Sequence, residues 1–190
     1  MKNLYLTQSL QDYKEEIWNY REKYILLGQK IEGAPQLENV NEISEWFDYL
    51  EQFVSPDTKN FVPSREYLLI EECDQERKLI GILNLRLLLN DYFAEYGGHV
   101  GISIVPEMQG QGYGTRAIKL ILEEARRFLM EKILITCEEK NVASARILEK
   151  NGGKFEELRF VKSKNVKLKR YWFDLSQMEG NKDDGKVDIG

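Results

Sequence analysis

"VPEMQGQGYGTRAIKLILEEA", Val105 to Ala125, decides how this chain reads, because three glycines fall within five residues directly ahead of an amphipathic helix. Backbone N–H groups at the start of a helix lack intrahelical acceptors and point outward, and the macrodipole adds partial positive charge there. Glycines on the approach permit positive φ and let the backbone come close to a ligand. A strand, a glycine turn and a helix N-terminus together predict an anion site. The competing reading is a tight strand–helix turn with no ligand, but a plain turn rarely requires three glycines after a polar opener. Spacing excludes two nucleotide-binding patterns. Gly114 is followed by Thr115-Arg116 rather than by the Lys-Ser/Thr of a phosphate-binding loop. Gly110, Gly112 and Gly114 are separated by one residue each, unlike the dinucleotide fingerprint.

Working outward from this stretch, "HVGISIV" reads as a strand stopped by Pro106, and "NDYFAEYGG" before it as a loop. "EYLLIEE" and "KLIGILNLRLLL", separated by "CDQER", form a predicted hairpin. Further upstream, Leu10, Tyr13, Ile17, Tyr20 and Tyr24 recur at helical steps, with Ser9 as N-cap and Gly28 as stop. A second helix places Ile43, Trp46, Phe47, Leu50, Phe53 and Val54 on one face and ends at "SPD", 55–57. "NLYL" near the start reads as a short strand.

Downstream, Ile118, Ile121, Leu122, Ala125 and Leu129 make the buried stripe of the glycine-led helix. "KILITC" is a strand, and "NVASARILEKNGG" a short helix capped by Asn141 and ended by Gly152-Gly153. "KFEELRFVKS" and "VKLKRYWFDL" make a final antiparallel pair. This order predicts one α/β (α+β) domain over residues 1–175, with a mixed sheet flanked by helices. The segment 176–190, "SQMEGNKDDGKVDIG", has almost no apolar content and is expected to be a disordered tail.

Composition narrows the function classes. At 190 residues the chain suits a single domain that can bury its own core. A formal net charge of −5, with basic and acidic residues intermixed, argues against a general nucleic-acid binder. No apolar run is long enough to span a bilayer and the N-terminus has no apolar leader, so the cytoplasm is the expected location. Cys73, Cys137 and a lone His99 fit no disulfide or metal framework, and no metal is expected.

With the other patterns set aside, Gln109, Gly112 and Gly114 remain as Gln-x-x-Gly-x-Gly after a strand ending in Pro106. This resembles the acyl-CoA signature of the GNAT superfamily of N-acetyltransferases. "LITCEEKNVASARILEKNGGKFEE" is similar to the family's next strand, its Asn-led helix and the turn after it. The two upstream helices and the hairpin match the family's order of elements. The resemblance covers about Leu4 to Leu175, with the specific motifs between His99 and Gly153. Together with "RYWFDL" these motifs resemble a bacterial group of acetyltransferases within the superfamily.

The resemblance implies a mostly antiparallel sheet whose central strands, "HVGISIV" and "KILITC", splay to admit acetyl-CoA. Backbone of Ile104 and Val105 would meet the pantetheine arm. The N–H groups of Gln109, Gly110, Gln111, Gly112, Tyr113, Gly114 and Thr115 would hold the pyrophosphate, and Asn141 would fix the thioester end. An amine acceptor would attack the thioester directly, and a homodimer is consistent with the family. Where many relatives carry a tyrosine acid, this chain has Leu148. His99 is the candidate base, its ordinary pKa of about 6.5 suiting neutral pH, or else a strand-end histidine bonded to backbone. Tyr171 is the candidate acid or substrate clamp, or else a half-buried sheet residue. An acyl-CoA-binding module without turnover is the alternative, distinguished by thiol release with a panel of amines.

Overall fold

A computed structural model describes residues 3–53 and 62–177. The chain runs β1 (Asn3–Thr7), α1 (Lys14–Leu26), α2 (Ile43–Glu51), β2 (Ser64–Cys73), β3 (Glu76–Arg86), β4 (Val100–Ile104), α3 (Tyr113–Arg127), β5 (Lys132–Glu138), α4 (Val142–Lys150), β6 (Lys154–Val161) and β7 (Val166–Asp174). The expected sheet is split. Four strands in the order β1-β2-β3-β4 form one antiparallel sheet, and three in the order β5-β7-β6 form another. The split falls between β4 and β5, the two strands that the resemblance implies would splay.

Period-2 alternation sends successive side chains of the larger sheet to opposite faces. Tyr67, Leu69, Leu83 and Leu85 pack with Ala117, Ile118, Ile121, Leu122 and Ala125 of α3. Leu68, Ile70 and Ile82 pack with Ile17, Tyr20 and Tyr24 of α1 and with Trp46 and Phe47 of α2. Continuous apolar runs in β2 and β3 follow from this double burial. Arg21 of α1 ties down the connection to α2, its guanidinium donating to the carbonyls of Leu37 and Val40, each at 2.8 Å.

Several local expectations change. Ser9 precedes a 3-10 turn, Leu10–Tyr13, and makes no side-chain cap bond. Its N–H instead donates to Thr7 Oγ1 at 3.1 Å. Leu129 lies beyond α3 in the left-handed region, φ 57°, and is 88% exposed, so the buried stripe ends at Ala125. The segment read as a loop contains a π-helical turn, Phe93–Gly97. Buried Arg170 of β7 holds that turn, donating to the carbonyls of Ala94 at 2.7 Å and Glu95 at 2.9 Å. Residues 175–177 form a 3-10 turn where the tail was expected to begin. Val54, the stop at 55–57 and the remaining tail, 178–190, lie outside the described residues.

Candidate active site

The three glycines serve two physical ends. Gly110 and Gly112 have φ of +75° and +87°, in the left-handed region where a side chain is strained. Gly114 has no such need; a Cβ there would meet Ile147 Cδ1 at 2.9 Å, so its smallness lets α3 approach α4. The outward amides can be followed one by one. Met108 N–H donates to Val105 O at 2.9 Å and Gln109 N–H to Pro106 O at 3.2 Å, closing the turn before the glycines. Arg116 N–H returns to Gly112 O at 3.3 Å, beginning the helical ladder. Between them, no described acceptor takes the N–H of Gly110, Gln111, Gly112, Gly114 or Thr115. The amides without a described acceptor therefore start one residue later than the sequence reading placed the pyrophosphate contacts, because the Gln109 N–H is committed to Pro106.

Three side chains of the turn are engaged by protein partners. Tyr113 is buried, and its hydroxyl donates to Glu71 Oε1 of β2 at 2.7 Å, anchoring the helix start to the sheet. Gln109 Nε2 donates to Ile104 O at 3.0 Å, and Gln111 Nε2 to Glu107 O at 2.9 Å. Both glutamines brace their own loop. A ligand at the turn would meet backbone, which suits a diphosphate.

Next to the turn, β4 presents its free edge to the split. Arg86 N–H donates to His99 O at 2.7 Å and Val105 N–H to Ile80 O at 2.8 Å, so alternate residues from 99 to 105 bond toward β3. Val100, Ile102 and Ile104 consequently point their main-chain groups the other way, toward β5. Val105 drops out of the expected pair of cleft contacts, since its carbonyl also accepts from Met108. The carbonyl of Ile104 accepts from Tyr24 Oη at 2.7 Å as well as from Gln109. Tyr24 and its stacked neighbour Tyr20, which donates to Ser103 Oγ at 2.9 Å, fix β4 from the α1 side. Sequence periodicity marks both tyrosines only as core.

The two sheets meet at the start of β4. His99 N–H donates to Leu134 O at 2.7 Å, and Leu134 N–H donates to His99 Nδ1 at 2.8 Å. One residue thus supplies both a main-chain and a side-chain rung across the split. His99 is 8% exposed, and burial, with the nearby Arg86 charge, lowers its pKa from 6.5 to about 4. The imidazole is neutral at pH 7, with Nδ1 as acceptor and the proton on Nε2. The lone pair a base would use is committed to Leu134.

On the far side of the split, Asn141 caps α4, its Oδ1 accepting from Ser144 N–H at 3.0 Å. Leu148 is buried in the core. Tyr171 is 1% exposed rather than half-buried, and its hydroxyl donates to Glu149 Oε1 at 2.9 Å. Burial first, then that carboxylate, pushes its phenol up to about 12. Cys137 is partly exposed, and burial of its thiol raises it to about 11, away from thiolate chemistry. Asn151 Nδ2 donates to Thr115 O at 3.2 Å and joins the end of α4 to the glycine turn.

The two sheets part between β4 and β5, β4 turns main-chain groups to that split, and beside it α3 begins with the amides of Gly110, Gln111, Gly112, Gly114 and Thr115, which have no acceptor among the described residues. A family model described as the acetyltransferase (GNAT) domain matches residues 12–154, and the chain belongs to that family. An uncharacterized N-acetyltransferase, YnaD, from Bacillus subtilis is 27% identical over 93 residues, 47% of this chain and 55% of that protein. The chain thus matches about half the length of this curated relative. The dodecameric structure of spermidine N-acetyltransferase from Vibrio cholerae is similar at a TM-score of 0.60 and 16% identity, covering 92% of this chain and 94% of that one. RimL, a ribosomal L7/L12 alpha-N-protein acetyltransferase in complex with coenzyme A, is similar at 0.61 and 16%, covering 91% and 93%. At these identities the structures establish the fold.

Proposed function

We propose that this protein is an acetyl-CoA-dependent N-acetyltransferase acting on a primary amine. The observation that carries the reading is that the amides of Gly110, Gln111, Gly112, Gly114 and Thr115 have no acceptor among the described residues, beside the β4 edge at the split between the two sheets. The amides of Gly110, Gln111, Gly112, Gly114 and Thr115 hold the pyrophosphate. The outward N–H and carbonyl of Ile102 and the N–H of Ile104 bond the pantetheine arm, and the exposed Asn141 amide meets its thioester end. Acetyl-CoA supplies the acyl group as a thioester; the amine nitrogen attacks its carbonyl, the C–S bond breaks, and the thiol leaves.

His99 acts here as a neutral strut that sets the opening between β4 and β5, and the amine loses its proton to water rather than to the imidazole. Tyr171 packs the floor of the cleft, its proton donor held by Glu149. Tyr171→Phe is then expected to change kcat by less than about threefold and to lower stability by about 1 kcal/mol, the typical net worth of one hydrogen bond. A kcat loss of a hundredfold with unchanged KM would instead make Tyr171 the acid.

Two measurements test the function. Coenzyme A is expected to shift the amide resonances of Gly110 to Thr115, and acetyl-CoA with an amine panel is expected to release free thiol. Binding without thiol release on every amine would indicate the non-catalytic module. Unmoved resonances at saturating coenzyme A would end the reading altogether.

A further inference from the structure

On the α1/α2 face of the larger sheet, Glu66 of β2 stands directly opposite Asn84 of β3, and Asn84 opposite Gly101 of β4. Glu66 is 6% exposed and Asn84 2%. Asn84 Nδ2 donates to Glu66 Oε2 at 2.6 Å. The second carboxylate oxygen, Glu66 Oε1, and the amide oxygen, Asn84 Oδ1, are buried with no hydrogen-bond donor among the described residues. Two adjacent buried acceptors without a donor are costly, since each unmade bond forfeits roughly 1–3 kcal/mol.

The cations nearby do not meet that need. Arg86 Nη1 donates to Gly98 O at 3.2 Å, and its guanidinium lies 4.1 Å over the Phe93 ring, drawn toward the start of β4. Glu32 also lies within its electrostatic reach. Arg65, which alternation places on the opposite face of β2, donates to Ser64 O at 2.9 Å. Tyr49 of α2 is half-buried and within electrostatic reach of both Glu66 and Arg86. Two buried acceptor oxygens short of donors, one of them a carboxylate's, suit an alkylammonium group.

Position selects which ammonium. Glu66 and Asn84 lie two strands and one strand from β4, so at about 4.8 Å per strand a nitrogen between them sits roughly 7–10 Å from the cleft. That is too far for the attacking nitrogen and suits a second one. We propose that Glu66 Oε1 and Asn84 Oδ1 form a subsite for the non-reacting ammonium group of the acceptor, which is therefore an aliphatic diamine or a longer polyamine. This rests on the acetyl-transfer reading above. Burial, opposed by Asn84 and the Arg86 and Arg65 charges, raises the Glu66 carboxyl from 4.5 to about 7. A bound cation favours the ionised form, so binding releases a proton near neutral pH.

The test is calorimetric titration of coenzyme A-loaded protein with 1,4-diaminobutane, 1,6-diaminohexane and butylamine, in two buffers of different ionisation enthalpy. At least one diamine is expected to bind about tenfold or more tighter than butylamine, with proton release. Glu66→Gln, which keeps the shape and removes the charge, is expected to bring that ratio to within about twofold and abolish the proton release. Equal affinity for diamines and butylamine in the native protein, the outcome if ordered water alone occupies the site, overturns the proposal, as does a ratio that survives in Glu66→Gln. Binding is read without turnover. Diamine selectivity without thiol release would therefore count against the transferase reading and leave the subsite standing.

Discussion

Gly112→Val is expected to raise the KM for acetyl-CoA by about 10- to 100-fold while the domain still folds. At φ +87° the backbone is in a region that costs an ordinary L-residue roughly 1–2 kcal/mol, and a β-branched residue more. At 1.4 kcal/mol per tenfold, that strain alone accounts for most of the loss if the loop relaxes out of its binding geometry. No atom lies within 4 Å of a Cβ built at Gly112, so the effect comes from the backbone and not from a clash. Gly114→Ala is the contrast. Its Cβ would press only on the tip of Ile147, which can turn aside, and a change below about threefold is expected. Equal effects at the two positions, measured by steady-state kinetics and coenzyme A titration, would refute the separation of roles.

His99→Ala is expected to lower kcat/KM by about 10- to 100-fold, and His99→Asn to recover most of that loss. Alanine strands the buried Leu134 N–H, at roughly 1–3 kcal/mol, and frees the two sheets to shift at the cleft. Asparagine offers an oxygen near the place of Nδ1 and cannot act as a base near neutral pH. Recovery therefore separates a strut from a base. If asparagine were as damaging as alanine and erased an acid limb in the pH–rate profile, the base role would be restored to His99. Stability supplies a second readout. A histidine whose pKa falls from 6.5 unfolded to about 4 folded contributes stability that is complete above pH 6.5 and lost as the pH drops toward 4. The loss is on the order of 3 kcal/mol, and Glu66, with its raised carboxyl, works in the opposite sense between pH 7 and 4.5. The difference between native protein and His99→Asn, followed by denaturant unfolding across that range, isolates the histidine.

The elements were largely legible in the sequence because each carries a local signal. Helical spacing marked α1, α2 and α3, the short apolar runs marked β2 to β5, and Asn141 marked the start of α4 as a side-chain cap. The glycine turn was legible for the same reason, since its demand for positive φ is a property of single residues. Where the reading slipped, the deciding force was remote. Leu129 fits the helical period but is released once α3 ends at Arg127. The π-helical turn at Phe93–Gly97 depends on Arg170, far along the chain.

By itself the sequence determined that this chain has an amide-lined helix head next to a strand that stops at Pro106, because those features follow from φ preference, propensity and alternation within a few residues. Only the tertiary structure decided that the lone histidine bridges two sheets, that Ile104 and not Val105 faces the cleft, and that Glu66 meets Asn84 in a buried pair short of donors. Those outcomes depend on strand register and on which face is covered. Both are set by packing between segments that lie tens of residues apart, and no local pattern encodes them.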